Sequence, residues 1–367
     1  TEFNIPTDQL GSAGNVTITA MDYLEVSEGA TVSSAAYGSG DAGLLTINAS
    51  DIYIHGDNAI NQTGISSNTN GIGNAGTVRI DIANYLEVIN GGFISSATFS
   101  SGNAGSVEIN SGSIYLDRNM ADSFTGITSQ TQSSGDAGTV IINNAELLSV
   151  FDGAYINSNT FGAGNAGGVE VTSNQIEIIG FDSDNGTSIS SDSGTEFNIP
   201  TDQLGSAGNV TITAMDYLYV AQGATVSSAA YGIGDAGQVS VSASEVIIDG
   251  VGADNLTGIY SDTYGIGNAG EVNMDVANYL EAINGGVISS ATYSSGNAGS
   301  VDIDSVSIYL NRNTSGRFTG ITSQVVGDGV DLGKERRCRQ QFIPSFLRLM
   351  QFVEGKRALN PCLGAAG

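Results

Sequence analysis

Seven side chains, Tyr53, Glu87, Tyr115, Glu177, Tyr219, Glu281 and Tyr309, return to one position of a repeated segment in this 367-residue chain. Glu25, Ser149 and Ile247 fill the same position in the remaining copies, and Tyr23, Tyr85, Tyr217 and Tyr279 flank it. Tyrosine joins a flat apolar ring to a hydroxyl, and a carboxylate accepts hydrogen bonds from hydroxyls. A column of this kind can stack on sugar rings and accept their hydroxyl hydrogen bonds, which is binding chemistry of the sort an adhesin uses. High β-propensity and stacking between neighbouring strands produce the same column without any ligand.

Other chemistry-bearing residues have plainer readings. Each copy carries an aliphatic-x-Ser triplet whose serine never varies, from Ser34 and Ser67 to Ser290 and Ser323. One histidine, His55, cannot serve ten serines as a base, so no repeated Ser-His-Asp arrangement exists; a ladder of hydroxyls bonding rung to rung is the expectation. His55 could act as a general base beside Asp57, but the other copies have no histidine there, and a solvated loop residue is expected. Arg118 and Arg312 lie 194 residues apart at equivalent positions, which marks them as features of the repeat and not of a unique catalytic centre. The acids also recur with the period, and no copy gathers the unique pair of carboxylates that a glycosidase needs. The sequence therefore reads as non-catalytic, with no metal site and no cofactor.

The elements that position these residues follow from a four-residue signature, Gly-[Asp/Asn/Ser]-Ala-Gly. It begins at Gly11, Gly40, Gly73, Gly102, Gly135, Gly164, Gly205, Gly234, Gly267 and Gly296. The steps are 29, 33, 29, 33, 29, 41, 29, 33 and 29 residues. Residues 1–24 recur unchanged as 195–218, so a six-unit block is itself repeated. Such periodicity marks a solenoid, in which each unit buries its apolar side only by stacking on its neighbours. Stacked Asp and Asn oxygens at the signature could hold calcium, but Ser12 and Ser206 interrupt them; turns requiring left-handed backbone explain the glycines more simply.

Each unit shows three short segments of period-two alternation, such as Val16/Ile18, Leu24/Val26 and Val32/Ser34. Three strands per turn predict an all-β fold, a single-stranded parallel β-helix of about ten rungs, each about 4.8 Å from the next. Parallel crossovers favour a right-handed coil. Residues 1–325 form this repeat domain and 326–367 a separate tail.

Charge divides the chain in the same way. Seven of its eleven basic residues follow Val325 together with four acids, so the tail is net +3 and the body −30 of the total −27. A body this acidic repels phosphate backbones, which excludes nucleic acid as a partner. From Pro344, polar Ser345, Arg348, Gln351 and Glu354 recur every three residues among apolar ones. That pattern predicts an amphipathic helix capping the open end of the solenoid, or touching a membrane or partner.

The pattern G-[DN]-A-G-x-[VIL]-x-[IV], as at residues 102–109, then Tyr-Leu-Glu-Val at 85–88 and Gly-Gly-Phe-Ile-Ser-Ser at 91–96, resembles large exoproteins of the filamentous-haemagglutinin type. Cyanobacterial members exported by two-partner secretion are especially similar. The resemblance spans about residues 11 to 325. It implies a right-handed parallel β-helix that is secreted to the bacterial cell surface and used in adhesion, with glycans or surface components as partners. It also implies an outer-membrane secretion partner, recognised through a segment upstream of this chain. A polysaccharide lyase or hydrolase on the same fold, and a purely structural spacer, are the alternatives.

Overall fold

The computed structural model describes residues 11–326 apart from 58–61, 120, 122, 182–185, 195–204 and 314. The described residues are all β, with no helix, and form two parallel sheets of twelve and ten strands. Ten rungs stack in sequence order, each running from its signature glycine to the next, and numbered here one to ten. The expected tail helix and the eight additional residues of the 41-residue step, within 195–204, lie outside the described residues.

Alternation places the core. In rung seven the strand Val210–Ala221 turns Val210, Ile212, Ala214, Leu218 and Val220 inward, each at most 1% exposed, with polar or aromatic residues and Met215 between them facing out. Directly paired residues are equivalent, Val210 with Val239 and Ile212 with Val241, so Val, Ile and Leu ladders run along the axis. Burying them contributes roughly 25 cal/mol per Å².

The expected three strands per turn are replaced by one long strand and one short strand. The first two segments fuse, as in Leu45–His55 or Val78–Ile89, because no Gly or Pro separates them. A bulge inside the long strand shifts the register, for example between Ala214 and Tyr217, and turns successive residues outward. Only rungs four and five break there, into Val107–Ser111 with Ser113–Asp117 and Val140–Asn144 with Leu147–Phe151. The short strands, such as Thr225–Ser227, build the second sheet.

The alternating steps have a local cause. Odd rungs join long to short strand by a tight turn with two positive φ values, as at Asn90 (52°) and Gly91 (92°). Even rungs have a longer loop at this corner, between His55 and Thr63 in rung two and between Asp249 and Thr257 in rung eight.

Candidate binding face

The long strands carry the Tyr/Glu column on their outer face, and their register makes it continuous. Glu25 pairs with Tyr53, Tyr53 with Glu87, Glu87 with Tyr115, and Tyr115 with Ser149. The column continues through Glu177, Tyr219, Ile247, Glu281 and Tyr309. All seven predicted site residues therefore lie in one line along the rod. Tyr309 is 45% exposed, and the other six are half-buried between their flanking columns.

These flanks engage much of the column's polar capacity. Glu87 accepts from Tyr85 at 3.2 Å and pairs with His55 Nε2 at 2.7 Å. Tyr115 donates to Asp117 at 2.7 Å, and Tyr217 donates to Glu177 at 2.6 Å. Burial, then the charge of Glu87 and the hydrogen bond to it, raises the Tyr85 pKa. Burial and then the bond to Asp117 do the same for Tyr115. Tyr217 is pushed up to about 12 by burial and then by its bond to Glu177. All three hydroxyls stay protonated at neutral pH and act as donors. Tyr53 meets Tyr23 and Tyr85 with ring centroids 6.3 Å apart at 68° and 59°, so the rings form an edge-to-face and tilted chain.

His55 differs from expectation. It ends the strand Leu45–His55, outward in the column next to Tyr53, and its partner is Glu87 of the following rung and not Asp57. Asp57 instead accepts from Asn90. Two sequence columns read separately cannot show such a diagonal contact between rungs.

The invariant serines do bond rung to rung, but through backbone groups, those of the signature glycines and the carbonyl of the preceding serine, and not hydroxyl to hydroxyl. Ser34 donates to the Gly14 carbonyl at 2.7 Å and accepts from the Gly43 amide at 3.0 Å. Ser191 repeats this with Gly167 and Gly208, at 2.5 and 3.1 Å. Each such hydroxyl clasps the closing glycines of two successive signatures, which occupies the oxygen a nucleophile would need. The signature's second residue is equally engaged, since Asp41 accepts from the Asn74 amide and Asn74 from the Asn103 amide.

Nor do the signature glycines answer to left-handed backbone as expected. Tight stacking requires them, because a Cβ on Gly73 or Gly102 would overlap the carbonyl of the glycine one rung before. The positive φ values fall mainly at the odd-rung turns instead. Arg118 and Arg312 donate to backbone carbonyls of their own loops, Ser123 at 3.0 Å and Ser315 at 3.1 Å.

Two surface features are not apparent from alternation. Tyr231, Tyr264 and Tyr293 stack face to face with centroids 4.9 and 4.8 Å apart, at 6° and 3° between planes, beside exposed Ile233 and Ile266. The recurring Tyr-Gly-x-Gly at Tyr37, Tyr231 and Tyr264 was the available signal. A shallow groove on the long-strand sheet, lined by Thr211, Thr213, Ser240, Ser242, Asp275 and Asp302, offers hydroxyls and carboxylates. Among the described residues no three of His, Cys, Asp and Glu converge as metal ligands. Comparison with protein-family models, curated proteins and solved structures returned no match.

Proposed function

We propose that this chain is a section of a secreted, adhesin-like rod of the filamentous-haemagglutinin type, coiled right-handedly and displayed at a bacterial surface. Its action is non-catalytic display. The supporting observation is the unbroken register that sets Tyr53, Glu87, Tyr115, Glu177, Tyr219, Glu281 and Tyr309 in one line across the rungs. A linear array at the rung spacing suits an extended polymer such as a polysaccharide, for which many weak contacts add through effective concentration. Export through an outer-membrane partner belongs to the same reading.

The test is retention of the purified chain on a panel of immobilised polysaccharides, with calcium or EDTA, and assay of the eluates for shortened sugars. Retention without cleavage that weakens in Tyr53→Ala/Tyr115→Ala supports display. Cleavage would replace it with a lyase or hydrolase. The internal bonds of Glu87 and Glu177 favour a structural spacer as the second reading, and absence of retention on every surface would establish it.

A further inference from the structure

One line of equivalent positions carries an unbroken run of tyrosines in the second half of the coil and an interrupted one in the first. Tyr231, Tyr264 and Tyr293 close rungs seven, eight and nine, and the residues 194 positions earlier are Tyr37, Asn70 and Phe99. Neighbouring rungs fix the backbone beside these tyrosines. The preceding residues, Ala230, Thr263 and Thr292, pair in parallel register. The Tyr264 amide donates to the Ala230 carbonyl and the Tyr293 amide to the Thr263 carbonyl, both at 2.8 Å. On the following side, Gly265 lies so close to the Gly232 carbonyl that a Cβ would overlap it. Three equivalent phenols are thereby set one rung apart, with ring centres 4.9 and 4.8 Å from one another and planes at 6° and 3°.

The tyrosines of the long-strand column are arranged differently. Tyr53 stands 6.3 Å from both Tyr23 and Tyr85, with planes at 68° and 59°, so an edge or a tilted face meets the next ring. Parallel rings on equivalent residues instead set like edges side by side, and the carbons ortho to the two phenol oxygens face the same way. All three stacked tyrosines are half-buried, and Ile233 and Ile266 beside them are exposed, so the stack lies at the surface within reach of a small oxidant.

We infer that this stack is an oxidative modification site, at which Tyr264 becomes joined to Tyr293 or to Tyr231 by a carbon–carbon bond. Each of the two phenols gives one electron to a one-electron oxidant and its hydroxyl proton to water. The two radicals bond through the carbons ortho to their oxygens, and the hydrogen on each bonded carbon then moves to its oxygen, which restores two phenols. Hydrogen peroxide activated by a haem peroxidase takes up both electrons and both protons and leaves as two molecules of water. No encounter in solution is needed, because the fold holds both phenols side by side beforehand. The bond ties two rungs together as a disulfide would, and residues 1–325 contain no cysteine.

The test is oxidation of the 367-residue chain by photo-oxidised ruthenium tris-bipyridyl, a small one-electron oxidant regenerated by persulfate, at a low and a high chain concentration. The expected product is a chain with blue dityrosine fluorescence, lighter by two hydrogens and not linked to another chain, in a yield independent of concentration. Unfolding and cleavage after acidic residues then releases 263–271 joined to 282–302, whose only tyrosines are Tyr264 and Tyr293, or 263–271 joined to 217–235, which contains Tyr231. Tyr264→Phe keeps the ring and removes the hydroxyl, and it lowers the yield at least about tenfold because only encounters between chains remain. Tyr37→Phe, whose neighbour in the line is Asn70, leaves the yield unchanged. Asn70→Tyr with Phe99→Tyr rebuilds the run in the first half of the coil and adds a second cross-link there. Absence of dityrosine overturns the proposal. So do links that form only between chains, that map to Tyr23, Tyr53 or Tyr85, or that persist undiminished in Tyr264→Phe.

Discussion

Rungs one and seven share the strand Val-Thr-Ile-Thr-Ala-Met-Asp-Tyr-Leu, and what separates them is the neighbour beneath. Ile212 is fully buried and Ile18 is not. Tyr217 reaches down to Glu177, while Tyr23 is 55% exposed. Secondary structure is nonetheless the same, a twelve-residue strand in each rung. Local sequence therefore decides strand and bulge, whereas burial and most polar satisfaction are supplied by adjacent rungs, as expected for a solenoid whose stability sums over nearest neighbours.

The largest effect should come from removing the same side chain in both places. Ile212→Ala leaves a cavity between two rungs and is expected to cost about 2–5 kcal/mol, while Ile18→Ala costs less than about half of that. Urea unfolding followed by tryptic digestion measures both, and equal losses would mean that the end rung is packed as tightly as the interior. A smaller contrast is expected at the closing signature glycine. Gly208→Ala drives a methyl into the Gly167 carbonyl and the Ser191 hydroxyl and should cost about 1–3 kcal/mol, whereas Gly14→Ala in open space is near neutral. A matching loss at Gly14 would show that glycine is required there for backbone reasons unrelated to stacking.

That contrast also explains what the sequence could and could not convey. Ten signatures and the alternation of Val, Ile and Leu indicated ten parallel rungs, and the Tyr/Glu column lies in the register read from spacing alone. The invariance of serines such as Ser34 and Ser191 was visible, but their glycine partners were not, since each bond joins segments tens of residues apart. Glycine's role is hidden for a related reason. Composition suggests turns, while close approach to the Gly40 or Gly167 carbonyl emerges only when rungs are stacked. The absence of Gly and Pro between the first two segments is a visible sign of their fusion, but the bulge that lets one strand carry both, such as that between Ala214 and Tyr217, has no residue-type marker. The hydrogen bond between His55 and Glu87 and the tyrosine stack at Tyr231, Tyr264 and Tyr293 likewise depend on which side chains the coil brings together.

The smallest effect concerns the link between Tyr217 and Glu177, which rung one lacks. The Tyr217 hydroxyl is partly buried and bonded to a carboxylate of the rung beneath, so its pKa rises from about 10 to about 12. A folded-state pKa above the unfolded value means that the fold favours the neutral phenol. Its contribution is then fully present below pH 10 and lost as pH rises through about 12. Tyr217→Phe should accordingly be less stable than the unaltered chain at neutral pH, and the difference should shrink across that alkaline window. Glu177→Gln removes the charge that opposes ionisation while keeping an acceptor, so it should move the window to lower pH. Alkaline unfolding monitored by far-ultraviolet circular dichroism distinguishes these outcomes. A Tyr217→Phe deficit that stays constant from neutral pH through 12 would assign its effect to packing alone and remove the rung-to-rung hydrogen bond as a source of stability.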